Sequence, residues 1–133
     1  MEITVDFPGG QRVDAHFPGF TVKTDQPSKE GPGSAPTPFS LFLSSLVTCA
    51  GIYVLGFCQQ RNLPTDGIRI IQRTERDPST RMIVKIELEI QVPPTFPEKY
   101  RSSLIRSAEL CAVKKHMENP PQFEIFTKEV LSD

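Results

Sequence analysis

No two of the three cysteines, Cys49, Cys58 and Cys111, stand in a Cys-x-x-Cys arrangement. That leaves a thioredoxin-type dithiol and a zinc knuckle without support. A phosphate loop is also missing: Gly31-Pro32-Gly33 lacks the third glycine and the lysine such loops need. Excess charge of either sign is absent, with 15 Lys and Arg against 16 Asp and Glu. The chain therefore carries no general field for a nucleic acid or an anionic membrane. Lys114-Lys115 reads as a solvated helix face. Met1 to Asp6 has neither a basic n-region nor an apolar h-region. With an odd number of cysteines, this leads to an expectation of reduced thiols in a cytoplasmic protein. No internal repeat is visible. Cofactor and metal are both expected to be none.

Charge is missing altogether from Gly31 to Gln60. Much of that interval, Phe39 to Gln60, is one apolar run. Thr37 is placed to cap a helix with Pro38 in its first turn, and Asn62-Leu63-Pro64 stops it. Its length would span a membrane. However, Ser40, Ser44, Ser45, Thr48, Gly51 and Gly56 dilute it, and no basic cluster flanks it. A helix apolar on all sides is then expected to be a central core helix.

The remainder alternates. Two or three short strands are expected between residues 2 and 24, broken by Pro8-Gly9-Gly10 and Pro18-Gly19. Residues 25–38 form a loop long enough to be either a site loop or a mobile connection. Ile68 to Glu75 and Met82 to Val92 read as a hairpin joined at Asp77-Pro78-Ser79-Thr80. The second strand sets Lys85, Glu87 and Glu89 on one face and Val84, Ile86 and Leu88 on the other. One continuous helix is expected over 97–118, then a last strand over Phe123 to Thr127. The 13 prolines fall between these segments and not in a tract. The order predicts one α+β domain over residues 1–133, with mostly antiparallel pairing and a long buried central helix.

Cys49 and Cys58 share the long helix nine residues apart, which sets them on opposite faces. Ser45, Ile52, Tyr53 and Gly56 lie on the Cys49 face, where small residues let a second element approach closely. Cys111 extends the inward row of Tyr100, Leu104 and Ala108. Two such cysteines meet if their helices cross. As buried small hydrophobes they need have no chemistry at all, and Cys58 is read that way. Neither His16 nor His116 is assigned a role. His116 lies about 140° around the helix from Cys111, so a zinc site from the cysteines and His116 is only a remote candidate.

Three segments resemble the OsmC/Ohr family of thiol-dependent hydroperoxide reductases, on its OsmC-like branch. They are Pro38-Phe39-Ser40-Leu41 after a Gly/Pro-rich loop, Ser44-Ser45-Leu46-Val47-Thr48-Cys49-Ala50, and Phe96-Pro97-Glu98-Lys99-Tyr100 leading to Cys111-Ala112-Val113. The resemblance implies an OsmC-like fold and an intertwined homodimer that shares its central helices. It implies Cys49 as the peroxide-attacking thiol, Cys111 as the resolving thiol, and an external dithiol as reductant. Phe39, Tyr53, Lys23 and Lys29 are the residues expected to line the substrate site. The alternative is a non-catalytic dimer binding a small hydrophobic ligand.

The chain departs from the family pattern in three places. A glutamate expected after the helix-starting proline is replaced by Phe39 and Ser40. An arginine expected in the preceding region is missing from 20–38, where Lys23 and Lys29 are the only cations. The proline expected after the second cysteine is Ala112. Losing the guanidinium and gaining a phenyl ring predicts a raised Cys49 pKa.

Overall fold

A computed structural model describes residues 1–131 of the chain. In order they form β1 (Thr4–Gly9), β2 (Arg12–Phe17), β3 (Phe20–Thr24), α1 (Pro38–Gln60), β4 (Arg69–Arg76), β5 (Ile83–Gln91), a 3-10 turn (Glu98–Tyr100), α2 (Arg101–Ala108) and α3 (Ala112–Glu118). The fold is α+β with antiparallel sheets and a long helix. Two compact units account for it. The first is Met1–Thr48 with Ile70–Glu89, and the second is Cys49–Arg69 with the chain from Ile90 onward.

In the first unit β1, β2 and β3 make an antiparallel sheet in that order. Asp14 faces Lys23 and His16 faces Thr21 across β2 and β3. The register of β1 slips between Asp6 and Gly9, where the Pro8-Gly9-Gly10 turn begins. Thr24, buried at the end of β3, donates its hydroxyl to the Val13 carbonyl at 2.6 Å. The following loop is fastened at one residue. Asp25 accepts the Ser34 amide and hydroxyl on one carboxylate oxygen, both at 2.8 Å, and the Gln26 amide on the other. Its own amide donates to the Pro36 carbonyl. The Ser34 amide, helped by the other donors, holds the Asp25 carboxyl below the ordinary carboxylate range. Gly33 is required there: its φ is +91°, and a Cβ would stand 2.8 Å from the Gln26 carbonyl oxygen.

Helix α1 begins as its sequence dictates. Thr37 Oγ1 accepts the Ser40 amide at 3.1 Å, and Pro38 fills the first helical position, where no donor is needed. Replacing Thr37 with alanine should cost about 1 kcal/mol of stability, read as a lower urea midpoint at unchanged slope. The helix ends in a left-handed residue, Asn62 (φ 53°), and the Leu63 amide returns to the Cys58 carbonyl at 2.9 Å. Leu46, Ala50, Val54, Phe57 and Cys58 form its buried stripe. The opposite side is not covered: Ile52 and Leu55 are exposed in the single chain. In that respect the central helix is buried along one face only.

Strands β4 and β5 pair with each other. Asp77 builds their turn by accepting the Ser79 and Thr80 amides, and Arg81 takes a left-handed φ of 63°. Arg73 bridges Glu87 and Glu89 along the charged face. Val84 and Leu88, from the apolar side of β5, are exposed. Gln72 donates its side-chain amide to the Leu43 carbonyl at 3.0 Å, tying β4 to the first half of α1.

The second unit holds most of the buried apolar side chains, including Ala50, Val54, Phe57, Phe96 and Leu104. Phe57 meets Tyr100 edge-on, with ring centroids 5.9 Å apart. Two expectations are corrected here. The helix expected over 97–118 is broken. The Leu110 amide closes onto the Ser107 carbonyl in a tighter last turn, and Cys111 takes an extended conformation (φ −48°, ψ 121°) before α3 restarts. The strand expected over Phe123 to Thr127 does not form, and Phe123, Ile125 and Phe126 are exposed. Alternation gives a strand only where a neighbouring strand supplies its hydrogen bonds.

Candidate thiol site

Cys49 and Cys111 both belong to the second unit, and their thiols are within hydrogen-bonding reach of each other. Three local features bring this about. Cys49 projects from the middle of α1, half-buried. Cys111 is the residue just before α3, buried to 3% exposure. The break after α2 turns the first amides of α3 toward the Cys49 sulfur. Val113 supplies the strongest of those hydrogen bonds and Ala112 a weaker one.

The electrostatics of the two thiols differ in sign. The Val113 amide, then the Cys111 S–H, then the Ala112 amide favour the anion and pull the Cys49 thiol below its ordinary pKa, against a smaller cost of burial. Burial pushes the Cys111 thiol up, the Cys49 sulfur raises it further, and the Lys114 and Val113 amides oppose this only in part. The pair is thus polarised, with the anion favoured at Cys49 and disfavoured at Cys111. The raised Cys49 pKa expected from the missing guanidinium is therefore corrected. Backbone amides at a helix start provide the stabilisation. Cys58, fully buried on the other face of α1, is pushed up by burial.

Ala112 occupies the first position of α3, where proline is well tolerated, and Cys111 already has the extended conformation that a following proline demands. Ala112→Pro should keep the fold and add about 0.4–1 kcal/mol of stability. It removes the weaker of the two amide bonds, so Cys49 should titrate slightly higher. Denaturation and the pH profile of alkylation read the two effects separately.

The other residues singled out from sequence are distributed as follows. Tyr53 lies one turn beyond Cys49, and its carbonyl accepts the Ser107 hydroxyl at 3.2 Å, which ties α2 to α1. Phe39 belongs to the first unit, where it packs against Phe42 and lies 5.5 Å from the Arg76 guanidinium. Lys23, also in that unit, borders a polar pocket of about 170 Å³ with Arg12, Asp14, Thr24 and Ser34. Lys29 sits in the tight turn closed between Ser28 and Gly31. His116 turns its Nδ1 to the Ala112 carbonyl at 2.7 Å. Among the described residues no group of three His, Cys, Asp or Glu side chains is placed to hold a metal ion.

Sequence reasoning missed two features of the site. The amides of Ala112 and Val113 carry no side-chain signature, and the helix break that frees them contains neither glycine nor proline. It also missed an amphipathic groove of about 560 Å³ between the second half of α1 and α2. Arg61 and Arg106 contribute to its wall.

Residues 31–126 match the family of OsmC-like proteins. Among solved structures the chain is similar to one from Psychrobacter arcticus 273-4, named for an osmotic stress induced and detoxification response. That match has a TM-score of 0.68 and 20% identity, and covers 85% of each chain. An OsmC-like protein from Mycoplasma pneumoniae matches with a TM-score of 0.69 and 13% identity, over 90% of this chain and 87% of that one. A protein from Aquifex aeolicus VF5 matches with a TM-score of 0.62 and 16% identity, over the same shares. At such identities the likeness establishes the fold. No curated protein matches the chain.

Proposed function

The chain belongs to the OsmC-like protein family, and from that premise we propose that it is a thiol-dependent reductase of organic hydroperoxides, with Cys49 as nucleophile and Cys111 as resolving thiol. The observation that carries this reading is the polarised pair: within hydrogen-bonding reach of each other lie a Cys49 thiol pulled down by α3 amides and a Cys111 thiol pushed up by burial. An ordinary cysteine is only roughly a few per cent ionised at neutral pH. Lowering that pKa raises the fraction of reactive thiolate without a guanidinium.

The chemistry balances with the two thiols and an external dithiol. The Cys49 thiolate attacks one peroxide oxygen, the O–O bond breaks, and the departing alkoxide takes up a proton to leave as the alcohol. Cys49 becomes a sulfenic acid. The Cys111 sulfur attacks the Cys49 sulfur, the S–O bond breaks, and the Cys111 proton leaves with the hydroxyl as water, forming a disulfide. A dithiol then restores both thiols by exchange and is itself oxidised. The competing reading, a dimer that binds a hydrophobic ligand without chemistry, rests on the missing glutamate and arginine; the lowered Cys49 pKa argues against it.

The exposed faces of α1 and β5, at Ile52, Leu55, Val84 and Leu88, support a homodimer that covers them. Three free cysteines suit a reducing, cytoplasmic setting. The functional test is dithiol-dependent consumption of cumene hydroperoxide by the wild type and by Cys49→Ser. Turnover in the wild type alone is expected. A wild type no faster than the variant would end the peroxidase assignment.

A further inference from the structure

We propose that Ser107 is a positioning residue for the thiol pair: its hydroxyl, clamped to the Tyr53 carbonyl, sets the register that brings Cys111 and the first amides of α3 against Cys49. The assignment rests on the proposed function only in treating that pair as the reactive one. The hydroxyl donates to the Tyr53 carbonyl at 3.2 Å, and both residues belong to the second unit. Tyr53 stands four residues after Cys49 on α1, and Ser107 stands four residues before Cys111. The clamp is therefore placed symmetrically between the two sulfurs along the chain.

A helical serine or threonine hydroxyl commonly turns back to a carbonyl three or four residues earlier on its own helix. On α1, Ser45 does so to Phe42 and Thr48 to Ser44. Ser107 instead reaches across to a second helix. The Tyr53 carbonyl lies inside α1, where a regular helix already gives it the amide four residues on; its second lone pair takes the hydroxyl.

Ser107 also holds the other end of the clamp, through its main chain. The Leu110 amide donates to the Ser107 carbonyl at 3.1 Å and closes the tight turn that ends α2. Ser107 thus joins α1 on one side and the break before Cys111 on the other. Beyond the break, α3 has no fully buried side chain to anchor it. Its place beside Cys49 is inherited from the chain before it. The Phe57–Tyr100 ring contact ties the same two segments, but from further away. At about 1.5 Å per residue, Phe57 is roughly 12 Å along α1 from Cys49, and Tyr53 roughly 6 Å. The nearer tie governs the sulfurs more closely, and a misplacement of about 1 Å between reacting groups can cost about a hundredfold.

Two readouts on the full chain, neither using peroxide, test the role. The first is the pH profile of iodoacetamide labelling at Cys49 in the reduced protein. The second is the thiol–disulfide equilibrium against dithiothreitol. There Cys49 and Cys111 form a disulfide while oxidised dithiothreitol takes up their two protons and two electrons and opens to the dithiol. Ser107→Ala should fold, since alanine is the better helix former. Its Cys49 midpoint should move up toward the ordinary cysteine value, as the Val113 and Ala112 amides and the Cys111 S–H lose their hold on the sulfur. Its disulfide equilibrium constant should fall by roughly tenfold or more. Ser107→Thr keeps the hydroxyl and should restore both. Ser103→Ala, one turn back on α2, removes a hydroxyl that accepts from Arg106 and should change neither. The positioning role is overturned if Ser107→Ala matches the wild type in either readout, if threonine does not restore them, or if Ser103→Ala shifts them as far. Wild-type turnover of cumene hydroperoxide beside an unchanged Ser107→Ala would sink the clamp and leave the peroxidase reading intact. The predicted shifts without wild-type turnover would do the reverse.

Discussion

Cys111→Ser, treated with cumene hydroperoxide, should accumulate a sulfenic acid at Cys49 that dimedone traps, whereas the wild type should form the Cys49–Cys111 disulfide and trap little. The asymmetry of the pair dictates the difference. Cys49 keeps the α3 amides in the variant, and the Val113 amide is the largest of the effects that lower its pKa. It loses only the S–H donor, which a serine hydroxyl partly replaces. Attack on peroxide should therefore survive with a modest loss of rate. Resolution should fail, because a serine hydroxyl at this position cannot form the disulfide with Cys49. Steady turnover would then depend on the external dithiol reaching Cys49 directly. Cys49→Ser should abolish both the trap and the turnover. Peptide mapping of the dimedone adduct and the disulfide reads the whole set.

The second large effect concerns the scaffold. Leu104→Ala should destabilise the protein by about 2–5 kcal/mol. Leu104 is 2% exposed in the middle of α2, one of the most deeply buried side chains in the chain. Removing it leaves a cavity that close-packed neighbours fill only in part. Ile105, the next residue, is 52% exposed, and Ile105→Ala should change stability by less than about 0.5 kcal/mol. Adjacent substitutions of similar volume thus give very different urea midpoints. If Ile105→Ala were the more damaging, the inward face of α2 would be misassigned.

Much of this architecture is written locally. Pro8-Gly9-Gly10 and Asp77 to Thr80 mark their turns through residues that supply left-handed backbone or accept amides, and Thr37-Pro38 marks the start of α1. The face relation of Cys49 and Cys58 also follows from the helical period alone. The long loop is different. Composition left it either mobile or functional, whereas the carboxylate of Asp25 pins it through Ser34 and Gln26. No periodic pattern predicts a latch between residues nine apart.

The thiol site was legible in its side chains and not in its backbone. The resemblance pointed to Cys49 and Cys111, and the fold brings them together. The helical row Tyr100, Leu104, Ala108, Cys111 suggested an unbroken helix because the break near Leu110 uses no helix-breaking residue. That break exposes the amides that lower the Cys49 pKa. A search for arginine as the activating group could not have found them. Likewise, the strand expected over Phe123 to Thr127 does not form, because a strand depends on a partner that no local signal guarantees.

The most direct test of the account is the pH dependence of iodoacetamide labelling at each cysteine, followed by mass spectrometry on the native reduced protein. Labelling requires the thiolate, so each rate follows its own titration. The account predicts that Cys49 is modified first, with a midpoint on the acid side of the ordinary cysteine value of about 8.5, while Cys111 and the buried Cys58 stay unmodified until higher pH. A Cys49 midpoint at or above that value, or earlier labelling of Cys111, would contradict it.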